Sequence, residues 1–255
     1  MEISYRLYNP TGNITALVET QVPVEHQPEV AEYIMKQSPS CEQVGYLSGP
    51  VEGSDITLRM AGGEFCGNAT MSTAACFCNA QGMQNGETRT VNVKVIGTSG
   101  LVPVEVTREK GSYYGTISMP KALKIENVKF TIEGDEYTYP VVSFVGISHV
   151  IMDDKFPVSL TETAIKLWCD RLKVQGLGFM IVNEKRTILR PLVYVKNTET
   201  LVWESSCASG TTAVAAYFAH KDGCPVKLSL KEPGGILTVQ TFEDGSVKLS
   251  GKVDF

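Results

Sequence analysis

Cys66 and Cys207 stand in a repeated setting. The run Cys66-Gly67-Asn68-Ala69-Thr70-Met71-Ser72-Thr73-Ala74-Ala75 aligns without a gap on Cys207-Ala208-Ser209-Gly210-Thr211-Thr212-Ala213-Val214-Ala215-Ala216, and the cysteine, one threonine and an alanine pair coincide. In each copy the residues behind the thiol are too small to cover the backbone, so a helix can begin directly after the sulfur. The unpaired N–H groups of a helix start bind anions such as a carboxylate. The same positive end lowers a thiol pKa from about 8.5 into a range of roughly 3.5–7.5, so thiolate is expected near neutral pH. Two such thiols, one ionised and one protonated, on opposite faces of an α-carbon would remove a proton from one side and return one to the other. Charge building on the substrate carboxylate would be met by the N–H groups. That chemistry is racemisation.

The other cysteines lack this context. A cysteine in an alanine-rich or apolar stretch is usually a small buried hydrophobe, the reading expected for Cys76, Cys169 and Cys224. Cys76-Phe77-Cys78 falls inside an expected helix, where i and i+2 face different ways. With only His26, His149 and His220 in the chain, no spacing matches a zinc site, and no metal is expected. No lysine stands in a pyridoxal context and no glycine-rich phosphate loop occurs, so no cofactor is expected either. His149 is expected to be a structural histidine, and Trp203 and Phe65 to be packing residues.

The elements that must position the thiols are mostly strands. Runs rich in Val, Ile, Thr and Tyr cover Thr15–Glu19, Asp55–Met60, Thr90–Val95, Val102–Thr107, Tyr113–Met119, Val141–Val145, Phe179–Val182 and Leu189–Val195, which predicts mixed or antiparallel sheets. Helices are expected at Pro28–Lys36, Asn68–Ala80, Thr161–Arg171 and Thr211–His220, with glycine stops at Gly82 and Gly223. A weaker echo sets Gly12–Val18 against Gly146–Met152. Repetition in the same order predicts two similar domains facing one another. The strand breaker in Met119-Pro120-Lys121 places their boundary: residues 1–119 carry Cys66 and 120–255 carry Cys207, with the last strand free to return to the first domain.

Composition narrows the function classes. The chain has 255 residues, is 43% apolar and carries a net charge of −5 with no block of like charges, which argues against nucleic acid as a partner. The alanine-rich stretch Ala213–Ala219 is too short to span a bilayer, so no membrane partner is expected. An acid at position 2, no apolar signal core and seven cysteines lead to the expectation of a cytoplasmic protein with free thiols.

The motifs resemble the cofactor-independent diaminopimelate epimerase fold. Its first cysteine signature stands here as Cys66-Gly67-Asn68-Ala69. The second, Cys-Gly-Ser/Thr-Gly, stands as Cys207-Ala208-Ser209-Gly210 with one glycine replaced. Gly12-Asn13 and Pro233-Gly234-Gly235-Ile236-Leu237-Thr238-Val239 resemble its flanking elements, so the likeness spans nearly the whole chain. The Glu-Arg that precedes the second cysteine in diaminopimelate epimerases is missing from Leu201-Val202-Trp203-Glu204-Ser205-Ser206, and their Asn-Pro-His is replaced by Ile147-Ser148-His149. A site without those groups would bury the distal charges of diaminopimelate unpartnered. Tyr8–Asn13, Cys41–Tyr46, Glu64–Ser72 and Trp203–Cys207 look like the histidine racemases of this fold.

This resemblance implies an α+β protein of two pseudo-symmetric domains, each a sheet wrapped around a central helix, acting as a homodimer on a small amino-acid substrate, with histidine favoured. Cys66 and Cys207 would be catalytic. Gly67, Asn68, Ala208, Ser209 and Gly210 would line the substrate at the helix starts, and Asn13 and Asn68 would contact its α-carboxylate. Glu204 would balance its ammonium, and Glu42 would accept a hydrogen bond from imidazole. The alternatives are a racemase of another amino acid, diaminopimelate included, an isomerase of the phenazine-biosynthesis type with a carboxylate base, which the paired cysteines argue against, and a noncatalytic amino-acid-binding protein.

Overall fold

Helix α2 (Gly67–Ala80) is buried without interruption from Gly67 to Ala75, as a helix of small residues on every face must be. The strands around it are β1 (Tyr5–Pro10), β2 (Thr15–Val18), β3 (Gln43–Ser48), β4 (Ile56–Met60), β5 (Thr88–Val95), β6 (Val102–Glu109), β7 (Ser112–Met119) and β16 (Val247–Asp254), hydrogen-bonded in that order. β16 pairs back onto β1 with Asn9 opposite Asp254, so the sheet closes on itself. Inward residues alternate along β5, β7 and β16, as with Val91, Val93 and Val95 on β5. Helix α1 (Gln27–Gln37) makes the crossover that the parallel β2–β3 pair requires, and packs Ala31 and Ile34 against Ala16, Val18 and Val44.

This computed structural model describes residues 2–255, except for the side chain of Thr198. It falls into two compact units, one running to Ser118 and reclaiming Leu249–Phe255, the other covering Met119–Lys248.

In the second unit, β8 (Lys124–Ile132), β9 (Asp135–Ser143), β10 (Ser148–Met152), β11 (Gly176–Val182), β12 (Leu189–Val195) and β13 (Thr200–Trp203) form a six-stranded sheet in the order β13-β12-β11-β10-β9-β8. Helices cover both faces, which explains why β10 and β11 are buried at every position. On β11, Leu177, Phe179 and Ile181 join the cluster containing Trp168 of α3 (Val158–Leu172). Met180 and Val182 point the other way, into the cluster with Ala213 and Val214 of α4 (Ala208–Asp222). The hairpin of β14 (Lys227–Glu232) and β15 (Gly235–Thr241) also packs on α4 and is bridged to the sheet between Ile188 and Lys231.

The two units repeat one topology. β1-β2-β3-β4 and β9-β10-β11-β12 both pair antiparallel, parallel, antiparallel, with α1 and α3 as the crossovers. Gly12 and Gly146, the leading residues of the weaker echo, both take positive φ (89° and 85°) in the turns before β2 and β10. All four expected helices are present, each a little longer than its sequence pattern. β1, β3, β8, β10, β13 and β14 lie outside the expected strands; of these, β3 and β10 are buried on both faces, which erases their alternation. Among the described residues no helix is long and apolar enough to cross a membrane.

Candidate active site

Each of the two cysteines is itself the N-cap of its helix. Cys66 leaves β-type backbone (φ −126°) and its sulfur accepts the Ala69 N–H at 3.5 Å. Cys207 does the same (φ −129°) with the Gly210 N–H at 3.4 Å. The threonine shared by the repeat closes the first turn in both, the Thr70 and Thr211 N–H groups reaching the cysteine carbonyls at 3.0 and 2.8 Å. Gly67, Asn68 and Ala208 are buried in these first turns, and Ser209 is half-buried.

In the first unit a polar chain reaches the Cys66 sulfur. The thiol donates to Gln43 Oε1 at 3.1 Å. Gln43 is held in that orientation because its Nε2 donates to Asn13 Oδ1 at 2.5 Å and to Thr15 Oγ1 at 2.7 Å. Asn13 Nδ2 in turn donates to Glu42 Oε2 at 2.6 Å. Asn13 and Glu42 are thus brought together with the first cysteine, and Gln43, inside the stretch Cys41–Tyr46, is the link that the sequence did not reveal. The available signal was register: Thr15 and Gln43 are direct neighbours across the β2–β3 pair.

In the second unit the surroundings differ. Cys207 is 5% exposed, and burial pushes its thiol well above the ordinary value. The Glu204 carboxylate raises it further, while the Ser209 hydroxyl opposes the shift. The expected lowering of this thiol by the helix start is therefore corrected: the cost of desolvating a thiolate outweighs the few N–H groups aimed at it. Cys207 is held here as the protonated thiol. Its backbone N–H donates to Glu232 Oε2 at 2.7 Å, and the Thr211 hydroxyl donates to Glu232 Oε1 at 2.5 Å. Glu232 was not foreseen, although it stands in phase with Leu228 and Leu230 on the inward face of β14.

Gly210 is where β11 comes close. A Cβ there would lie 2.0 Å from Met180 Sδ and 3.2 Å from Cys207 Sγ. His149 is fully buried with Nε2 3.0 Å from Ser209 Oγ, whose hydroxyl lies 3.6 Å from the Cys207 sulfur. Burial depresses its pKa to about 3, so it stays neutral at working pH. A histidine depressed from about 6.5 stabilises the fold fully above that value and loses the contribution as pH falls toward 3. Lowering the pH from 7 to 5 should therefore cost the wild type about 2 kcal/mol that a His149→Asn variant does not lose. Urea unfolding at both pH values checks this, and equal losses in the two proteins would refute it.

Two expectations fail. Cys224 is exposed rather than buried, since it follows the helix stop at Gly223 in a surface turn. Trp203 is 41% exposed and donates its Nε1 to Glu162 Oε1 at 3.4 Å instead of packing in a core, because β13 is an edge strand. Cys169 is buried. Cys76 is half-buried beside the Tyr8 hydroxyl.

Residues 2–254 match the family described as the histidine racemase CntK N-terminal domain. The chain is 29% identical over 250 residues to a histidine racemase of Staphylococcus aureus, covering 93% of this chain and 88% of that protein. It is 31% identical over 263 residues to a histidine racemase of Fusobacterium nucleatum, covering 96% and 94%. Among solved structures, a probable proline racemase from Agrobacterium radiobacter superposes with a TM-score of 0.72 at 13% identity, over 99% of this chain and 91% of that one. A predicted epimerase from Pseudomonas aeruginosa gives 0.71 at 16% identity, over 99% and 96%. These two likenesses concern the fold.

Proposed function

The chain belongs to the histidine racemase family, and we propose that it interconverts L- and D-histidine by proton exchange between Cys66 and Cys207, without pyridoxal phosphate, nucleotide or metal. The observation that carries this reading is the duplicated cap: in each unit a cysteine sulfur sits at the first turn of a buried helix. A thiolate takes the α-proton, and the electron pair left on the α-carbon delocalises into the carboxylate. The other thiol delivers its proton to the opposite face, so one sulfur ends protonated and the other ionised, ready for the reverse direction. N–H groups at the helix starts, those of Gly67, Ala208 and Ser209 among them, meet the carboxylate charge as it grows.

Asn13 and Asn68 would hold the α-carboxylate, Glu204 the ammonium, and Glu42 the imidazole N–H. A charged hydrogen bond of that last kind contributes roughly 1.5–3 kcal/mol. Glu42→Gln and Glu42→Ala should therefore lower kcat/KM for histidine by about one to two decades, and much less for an aliphatic amino acid. Equal losses would place Glu42 in the α-carbon machinery instead, through its bond to Asn13 and on to Gln43 and Cys66.

A chiral assay in heavy water over histidine, the other common amino acids and diaminopimelate tests the whole reading. Racemisation of histidine with deuterium at the α-carbon is expected. Faster turnover of diaminopimelate would overturn the substrate, and no α-deuterium in any of them would leave a binding protein.

A further inference from the structure

We propose that Glu232 is the positioning residue of Cys207: its carboxyl fixes the thiol at the start of α4, and its charge sets how tightly that thiol holds its proton. The inference rests on the two-thiol reading above and assigns a part to a residue outside the repeated motifs. Glu232 is 2% exposed and grips α4 at two points, the Cys207 N–H and the Thr211 hydroxyl. The same hairpin holds the preceding loop, the Gly234 N–H donating to the Ser205 carbonyl at 2.8 Å. Residues 205–207 are thus clamped from one side by the tip of β14–β15.

In the first unit the equivalent threonine, Thr70, turns its hydroxyl back onto the Cys66 carbonyl at 2.7 Å. In the second unit Thr211 is drawn away to a carboxyl. A buried acid is an expensive way to hold an N–H and a hydroxyl, since a neutral amide satisfies both. What an amide does not supply is charge.

Burial pushes Glu232 up to about 8, with the Glu204 carboxylate raising it as well and the Thr211 and Cys207 donors opposing. It therefore changes charge close to neutrality, and its anion makes the Cys207 proton harder to remove. From the loop before α4 the titratable groups facing it are Glu204 and Cys207. α4 itself offers Thr211 and β15 offers Gly235, neither of which titrates. Arg190 on β12 and Lys231 on β14 are exposed.

The test compares the wild type with Glu232→Gln and Glu232→Ala. Thiolate ultraviolet absorbance is titrated with pH in each protein and corrected by the matching protein that also carries Cys207→Ser, so the signal is that of Cys207 without substrate. In Glu232→Gln the amide oxygen still accepts the Cys207 N–H, the amide NH2 donates to the Thr211 hydroxyl instead of accepting from it, and the charge is lost. The Cys207 midpoint should then fall by about one pH unit, and the corresponding limb of the kcat/KM profile for histidine should move with it at nearly unchanged KM. Glu232→Ala should lower kcat at least tenfold, with Glu232→Gln retaining most of it. Superimposable Cys207 titrations in wild type and Glu232→Gln overturn the proposal, and this readout stands even if Glu232→Ala does not fold. If the wild type fails to racemise histidine, the proposed function falls, while the absorbance titration still decides the role of Glu232.

Discussion

Cys66→Ala and Cys207→Ala are each expected to abolish racemisation, by at least about three decades, while the fold remains. On the two-thiol reading, each removes the proton carrier for one face of the α-carbon. Next to Cys207 stand a hydroxyl, Ser209, the Glu204 carboxylate, and a histidine held neutral by burial that touches it only through Ser209. Next to Cys66 stands an amide, Gln43. Structural and chemical roles are separable because each sulfur is also a helix cap. Alanine gives up the cap, a loss of about 1 kcal/mol, whereas serine is a favoured cap residue. Cys66→Ser and Cys207→Ser should thus melt at or above the wild-type temperature and still fail to racemise. Each serine variant keeps one working thiol, so it should still slowly eliminate a β-leaving group from a suitable substrate, losing the α-proton and the leaving group with no proton returned. Wild-type racemisation in either alanine variant would end the two-thiol mechanism.

Gly210→Ala is expected to lower kcat by about two decades, although alanine is the better helix former by nearly 1 kcal/mol. The new methyl would lie 2.0 Å from the sulfur of Met180 and 3.2 Å from that of Cys207. Met180 is fully buried, so its flexible thioether end yields only against packed neighbours, and what it does not absorb displaces the first turn of α4 with the thiol it carries. An error of about 1 Å in a reacting group is enough for a loss of this size. Shortening the obstacle should reverse the effect: Gly210→Ala with Met180→Ala should recover most of the activity, at a stability cost for the cavity of roughly 2–5 kcal/mol. Kinetics and thermal unfolding of the single and double variants test this. An active single variant, or a double variant no better than the single, would show that β11 does not set the position of Cys207.

The helix starts were readable because they are local. A cap depends on a few consecutive residues, and Cys66 and Cys207 each bond within their own first turn. β5 was readable because one face is buried and the other exposed, and β11 because Phe179–Val182 is a continuous apolar run, as a strand buried on both faces requires. β10 is buried at all five positions, so its sequence carries no alternation. Trp203 misled for a related reason, since an aromatic side chain does not announce that its strand lies at the edge of a sheet.

From sequence alone follow the duplicated thiol caps, the mixed α+β class and the identity of the helices, all of which depend on residues close together in the chain. The tertiary structure alone decided which remote groups surround each sulfur. Gln43 reaches Cys66 through the β2–β3 register, and Met180 and Glu232 reach Gly210 and Cys207 from strands on either side of α4. It also decided the charge states. The helix start by itself favours a thiolate, but burial of Cys207 among the carboxyls of Glu204 and Glu232 reverses that preference. Desolvation and through-space charge depend on everything packed around a group, and neither is written in the residues beside it.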